Sequence, residues 1–101
     1  MMEKTGPEEE VERLISEGWE LRNSGELEKA LQCFDRATKI APHNPDAWSN
    51  KGCILGEIAD KRMITHEDAA KTFRKALKCF DRALIYRCVK NAIVMMEMPQ
   101  L

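Results

Sequence analysis

Apolar residues recur at intervals of three and four along most of the chain, a spacing that predicts amphipathic α-helices. The first stripe predicts a helix from residue 7 to about residue 23; it consists of Val11, Leu14, Ile15, Gly18 and Leu21. The second predicts a helix over about 26–40; it consists of Leu27, Ala30, Leu31, Phe34, Ala37 and Ile40. Since no stretch alternates with a period of two, the pattern predicts an all-α fold.

Helix-breaking residues delimit these helices and two further ones. The segment Asn-Ser-Gly at 23–25 ends the first helix, and Pro-His-Asn-Pro at 42–45 ends the second. Asn44 is placed to cap a third helix, and Thr65 to cap a fourth whose first turn is acidic. The apolar pattern extends the fourth helix toward Met98.

One segment occurs twice in the chain. The nine residues 29–37 return as residues 75–83, with only Gln32 replaced by Lys78, at an offset of 46 residues. Such identity within a short chain indicates two structurally equivalent units, each formed by a helix and the helix before it.

The repeated residues resemble the tetratricopeptide repeat, a helical hairpin of about 34 residues. The first repeat supplies Leu14, Gly18, Leu21, Ala30, Phe34, Ala37 and Pro42. The second supplies Trp48, Gly52, Leu55, Ala76, Phe80 and Ala83, the last three 12 residues late. The delay predicts two lengthened helices with a turn near 63–65. A second register, with Phe73 at the aromatic position between Ala69 and Ala76, also fits, although the nine-residue repeat favours Phe80.

The resemblance implies antiparallel helix–turn–helix repeats of the α-solenoid type with a long apolar C-terminal helix. We expect a flexible N-terminus over 1–6 and a single domain over 7–98. Within it, repeat one covers about 7–42, repeat two about 45–86, and a C-terminal helical extension about 87–98.

The resemblance also implies a function, because this family binds peptide segments or partner helices in a groove lined by the first helix of each repeat. The candidate groove residues are Glu12, Ile15, Trp19, Arg22, Asn23, Asn50, Cys53 and Glu57, with Ser16, Asp46, Ser49 and Gly56 on the same surface. Trp19 is the most informative of them, either as an exposed anchor for a partner or as packing against a neighbouring helix. Only Asn50 matches the Lys and Asn positions with which some members bind a C-terminal carboxylate, so an apolar or mixed segment fits better.

Apolar residues continue beyond Ala83 almost without interruption, and one stripe at helical spacing suggests self-association. The candidate self-association residues are Ile85, Val89, Ile93 and Met96. Two interpretations stay open. In the first, the C-terminal helix folds against the last repeat or into the groove of its own chain and completes the core, and the protein is a self-associating structural one. In the second, it pairs with another chain, as a homodimer or a docking site.

Composition narrows the function classes. Sixteen Lys and Arg against 17 Asp and Glu give a net charge of −1, which offers no attraction to nucleic acid or an anionic membrane. The first residues lack the pattern of a signal peptide, and the longest apolar run, 92–96, is too short to span a bilayer. We therefore expect a cytoplasmic protein that binds a protein or peptide.

Candidate chemistry is sparse. The four cysteines lack Cys-x-x-Cys spacing and are expected to be small buried side chains. His43 and His66 lie in predicted turns without a second ligand at metal-binding spacing. There is no phosphate-binding glycine loop and no nucleophile elbow. The sequence thus predicts a protein that is not an enzyme and has no metal site or cofactor.

Overall fold

The computed structural model describes residues 6–62 and 65–97, and only the backbone of Arg62, Lys90 and residues 92–97. The helices are α1 (Pro7–Asn23), α2 (Leu27–Ile40), α3 (Pro45–Arg62) and α4 (His66–Glu97). In the described ranges no strand occurs, so the predicted all-α fold of helical hairpins is confirmed. Of the N-terminus predicted to be flexible, all but Gly6 lies outside the described residues.

Residues at the helix ends explain where the chain turns. Gly25 has a φ of +87°, a left-handed conformation that suits glycine, and its N–H donates to the Arg22 carbonyl at 3.0 Å. The Asn44 side-chain oxygen accepts from the N–H groups of Asp46 and Ala47 at 2.8 and 3.2 Å. The Thr65 hydroxyl accepts from the Asp68 N–H at 3.1 Å. Asn44 and Thr65 therefore cap α3 and α4 as the sequence predicts.

The core runs continuously through the two hairpins. One cluster joins α1 and α2 to the start of α3; its buried members are Val11, Leu14, Cys33, Ala37 and Ala47. A second joins α2 to α3 through Leu27, Ala30, Phe34, Ile54 and Ile58. A third joins α3 to α4 through Leu55, Ala76 and Cys79. Burial of these apolar side chains is the main force that holds the four helices together.

Close approach of a glycine to an aromatic ring occurs in both hairpins. A Cβ atom on Gly18 would lie 2.5 Å from the Phe34 ring, and one on Gly52 would lie 3.0 Å from the Phe80 ring. A Cβ on Gly56 would lie 4.0 Å from Phe73. Phe80 thus takes the place relative to Gly52 that Phe34 takes relative to Gly18, which favours the later of the two registers.

The second hairpin has longer arms than the first. α1 ends five residues after Gly18, whereas α3 ends ten residues after Gly52. α2 begins seven residues before Phe34, whereas α4 begins 14 residues before Phe80. Both arms lengthen by a similar amount, so the signature residues of the second hairpin still face one another.

The C-terminal part of the chain continues α4 without a break as far as Glu97. The alternative in which this segment folds back into the groove of its own chain is therefore wrong, since it needs a turn that α4 lacks. Ile85 and Val89 are exposed, and the side chains of Ile93 and Met96 lie outside the described residues. The expectation of four buried cysteines is also wrong for Cys53 and Cys88, which are exposed; Cys33 and Cys79 are buried.

Candidate partner-binding groove

Two depressions lie along the α1–α3 surface. The helices contact each other directly, and residues 12, 15, 16, 19 and 22 of α1 face the same side as residues 46, 49, 50, 53 and 57 of α3. These intervals of three and four residues correspond to one helix face in each case. The two depressions together form a shallow groove.

The larger depression, which we call the apolar pocket, has a volume of about 590 Å³. Its walls come from α1, α3 and α4; they are Trp19, Arg22, Gly52, Cys53, Gly56, Glu57, Asp60, Lys61, Phe73, Ala76, Leu77 and Phe80. Gly56 leaves the α3 wall open near its backbone, Phe80 packs against Gly52, and three large apolar side chains form the α4 wall. Such a site suits an apolar side chain or a short helix face.

The smaller depression, which we call the polar depression, continues the groove toward the start of α1 and α3. It is lined by Glu12, Ile15, Ser16, Asp46, Ser49 and Asn50. Its two carboxylates can accept hydrogen bonds from a ligand's backbone N–H groups. Its three neutral polar side chains can both accept and donate. The groove is thus apolar at one end and polar and acidic at the other.

Trp19 connects the groove to the core. Its ring meets that of Phe34 edge to face at a centroid distance of 6.1 Å, and it packs against the cluster that contains Leu27 and Ile58. The Arg22 guanidinium lies 5.0 Å from the indole centroid. The indole is half-buried, so it packs against the core and also lines the apolar pocket; a role as anchor for a partner stays a prediction.

Comparison with known proteins is consistent with this geometry. A family model described as the TPR repeat matches residues 18–57, from the middle of α1 into α3. An uncharacterized protein of Methanocaldococcus jannaschii is 37% identical over 67 residues, which span 66% of this chain and 72% of that protein. The chain is a protein of the tetratricopeptide-repeat (TPR) type. No solved structure matches it. TPR proteins generally mediate protein–protein interactions and form a non-catalytic class of module.

In the TPR domain, most of the candidate groove residues predicted from the sequence line one of the two depressions. Trp19, Arg22, Cys53 and Glu57 line the apolar pocket, whereas Glu12, Ile15 and Asn50 line the polar depression. Asn23 lines neither; its side-chain oxygen accepts a hydrogen bond from Arg22 at 3.3 Å at the end of α1.

Sequence reasoning missed the α4 wall of the apolar pocket. Phe73, Leu77 and Phe80 were used only to align the repeats. They were not assigned to the groove, because the resemblance places the groove on the first helix of each repeat. A signal was present, since Leu77 lies within the nine-residue repeat and Phe73 stands two residues before its second copy, 46 residues after Leu27.

Arg22 and Glu57 join α1 to α3 across the floor of the groove. The guanidinium donates two hydrogen bonds to the carboxylate, Nε to Oε1 at 2.5 Å and Nη2 to Oε2 at 2.9 Å. The hydrogen bonds from Arg22 lower the pKa of Glu57, and the Glu57 carboxylate raises the pKa of Arg22. This two-bond pairing fixes the relative position of the helices that form the groove.

The pairing predicts a pH-dependent contribution to stability. Because the pKa of Glu57 is lower in the folded than in the unfolded TPR domain, its contribution is present at neutral pH and is lost as the pH falls toward the folded pKa. We expect Glu57→Gln to lower the melting temperature at pH 7, and the difference from wild type to shrink between about pH 5 and pH 3. Thermal unfolding followed by circular dichroism measures it. A difference in melting temperature that stays constant over this pH range would show that the Arg22–Glu57 pair does not make stability depend on pH.

A second groove lies on the other side of the domain, between α2 and α4. Its lining residues are Leu31, Asp35, Trp48, Lys51, Leu55, Lys75, Lys78, Cys79 and Arg82. Lys51 pairs with Asp35 at 2.9 Å, and Arg82 lies 4.9 Å from the Trp48 ring centroid. The repeated Asp-Arg pair of the sequence therefore serves different purposes in its two copies, an ion pair at Asp35 and a ring contact at Arg82.

Within the described residues, no three His, Cys, Asp or Glu side chains come together as a metal site. None of the helices in the same ranges is both long and apolar enough to cross a membrane.

Proposed function

We propose that this TPR domain binds a segment of another protein in the groove formed by α1 and α3, with the apolar pocket as the anchoring site. The observation that carries the proposal is the pocket itself, an open apolar surface beside a half-buried Trp19. Monomeric proteins seldom leave such surfaces uncovered unless something binds there.

The lining of the groove favours one kind of ligand. An apolar side chain, such as Leu or Phe, fits between Trp19 and the α4 wall. The polar depression supplies acceptors from Glu12 and Asp46 and both donors and acceptors from Asn50. We therefore expect an apolar anchor followed or preceded by polar, preferably basic, residues.

The proposal assigns no catalytic step, metal or cofactor to the groove, and no nucleic acid or membrane as partner. It includes a cytoplasmic location, which the balanced charge and four unpaired cysteines favour.

Selection from a random peptide library on the immobilised domain tests this proposal. Peptides that bind wild type should bind Cys53→Glu at least about tenfold more weakly, because the change places a charge in the apolar pocket. Cys53 is exposed on α3, so the variant should fold. Gln32→Glu adds the same charge at an exposed position of α2 outside every described depression, and it should bind like wild type.

Nuclear magnetic resonance supplies an independent readout. The domain contains two tryptophans, Trp19 in the apolar pocket and Trp48 on the opposite side. A selected peptide should shift the indole N–H signal of Trp19 and leave that of Trp48 unchanged. Failure to enrich any peptide, or equal binding to wild type and Cys53→Glu, would contradict the proposal.

A further inference from the structure

α4 carries a long exposed row of apolar side chains, which we call the apolar strip. It consists of Phe73, Leu77, Leu84, Ile85 and Val89, each 43–61% exposed. Phe73, Leu77 and Leu84 recur at intervals of four and seven residues and so lie on one side of the helix. Ile85 and Val89 widen the strip where α4 passes beyond α3.

The first hairpin shows what normally covers such a strip. Leu27 and Leu31 of α2 stand 46 residues before Phe73 and Leu77. Leu27 is only 3% exposed, because the second core cluster packs Ile54 of α3 against this side of α2. The same side of α4 has no helix over it among the described residues. An additional helix is therefore the kind of element that fits the strip.

A head-to-tail arrangement of copies does not supply that helix. In such an arrangement α1 of the next copy would lie on α4 as α3 lies on α2. The α1 residues that stand 34 positions before Ile54 and Ile58 are Glu20 and Ser24, and both are polar and exposed. Glu17, one turn earlier, is exposed as well. This charged side of α1 is unsuited to cover an apolar strip.

α4 itself has the length and the apolar surface that are needed. Its contact with α3 ends near Arg87, whose Nη2 lies 3.4 Å from an Asp46 carboxylate oxygen, and near Tyr86, whose ring lies 5.0 Å from that of His43. The helix continues for ten residues to Glu97, about 15 Å beyond this point. Of the residues of this overhang, Cys88, Val89 and Asn91 are exposed.

We propose that two copies of the chain form a dimer in which their α4 helices pack antiparallel through the apolar strips. With a two-fold axis between Phe80 and Asp81, Leu77 of each copy meets Leu84 of the other. Each overhang then lies along the Phe73 region of its neighbour. A parallel pairing in register would instead bring the two copies of Lys78, and the two copies of Asp81, close to each other, which like charges oppose.

Charges beside the strip agree with the antiparallel direction. Lys78 and Asp81 lie three residues apart on the exposed side of α4, and neither forms an ion pair with a described residue. About the proposed axis, Lys78 of each copy comes near Asp81 of the other, which gives two opposite-charge pairs. The axis is a closed two-fold one, so association stops at the dimer.

The dimer goes beyond the proposed function and does not depend on it. The pairing uses Phe73 and Leu77, which also form the α4 wall of the apolar pocket, so a ligand in that pocket and the α4 helix of the second copy would compete for this wall.

Sedimentation equilibrium of the full chain tests the dimer. We expect a concentration-dependent mass that approaches twice 11.6 kDa. Leu77→Glu with Leu84→Glu should weaken dimerisation at least about 100-fold, because four carboxylates would be buried in the interface. Ile40→Glu, at the largest exposed apolar side chain of α2, is the matched control and should dimerise like wild type.

Circular dichroism shows whether each variant stays helical, as expected for positions that are 37–61% exposed. A monomeric wild-type chain at the highest concentration would overturn the dimer, whatever the outcome of peptide binding to Cys53→Glu. Equal loss of dimer in the Ile40→Glu control would overturn the assignment to the strip.

Disulfide cross-linking tests the direction of pairing in a Cys53→Ser background. Antiparallel packing places the two copies of Cys88 about 20 Å apart along the helices, too far for a disulfide. Arg74→Cys places a thiol opposite Cys88 of the other copy, so this variant should form a dimer on a non-reducing gel, and Cys88→Ser should abolish it. A cross-link through Cys88 alone would overturn the antiparallel arrangement.

Discussion

Phe34→Ala is expected to lower the free energy of unfolding by about 3–5 kcal/mol. Phe34 is 1% exposed and lies where α1, α2 and α3 meet, against Gly18, Trp19 and the cluster that contains Ile54. Removal of the ring leaves a cavity that the surrounding helices cannot close, because they pack against one another as well. Urea denaturation followed by circular dichroism measures the loss.

Phe80→Ala is the matched comparison in the second hairpin. Phe80 lies against Gly52 as Phe34 lies against Gly18, but it is only half-buried, because no further helix of the described ranges covers this side of α4. We expect a loss of about 2 kcal/mol, since part of the ring already faces water. Equal losses at the two positions would show that the two aromatic residues have equivalent environments in solution, contrary to the structure.

Gly18→Ala is expected to destabilise the protein by about 1–3 kcal/mol, although alanine is the better helix former. The new Cβ would lie 2.5 and 2.7 Å from two atoms of the Phe34 ring. Since that ring is enclosed on all sides, it cannot move away without shifting α1 from α2. Thermal or urea unfolding should show the loss.

Gly56→Ala is the control, for which we expect a change in stability of the opposite sign. Gly56 is also in a helix interior, but its Cβ would lie 4.0 Å from Phe73, an ordinary contact. Relief of the glycine penalty should therefore stabilise the protein by up to about 1 kcal/mol. If both variants were stabilised, the close packing of Gly18 on Phe34 would be refuted.

The helix positions and the repeated unit could be predicted from local signals. Asn44, Thr65 and Gly25 mark helix ends through hydrogen bonds and backbone conformations that involve only neighbouring residues. The lengthening of the second hairpin was predictable too, because the signature residues on both arms had to stay opposite one another.

The candidate site was predictable only in part. Helical spacing placed the α1 and α3 sides of the groove, since residues such as Glu12 and Cys53 share a face with their neighbours. Its α4 side, formed by Phe73 and Leu77, depends on how far α4 reaches past Gly52 and Gly56. How far α4 reaches is set by the packing of α4 against α3, and the spacing of residues within a single helix does not reveal it.

The amino-acid sequence by itself determined the four helices, their caps and the duplicated hairpin, because each depends on contacts between residues close together in the chain. The tertiary structure alone decided that Trp19 packs against the core and also lines the groove, that Cys53 and Cys88 are exposed, and that α4 continues without a turn to Glu97. The physical reason is that burial depends on which helix, if any, covers a given face. Leu27 and Phe73 occupy equivalent positions in the sequence, and only the first lies beneath another helix.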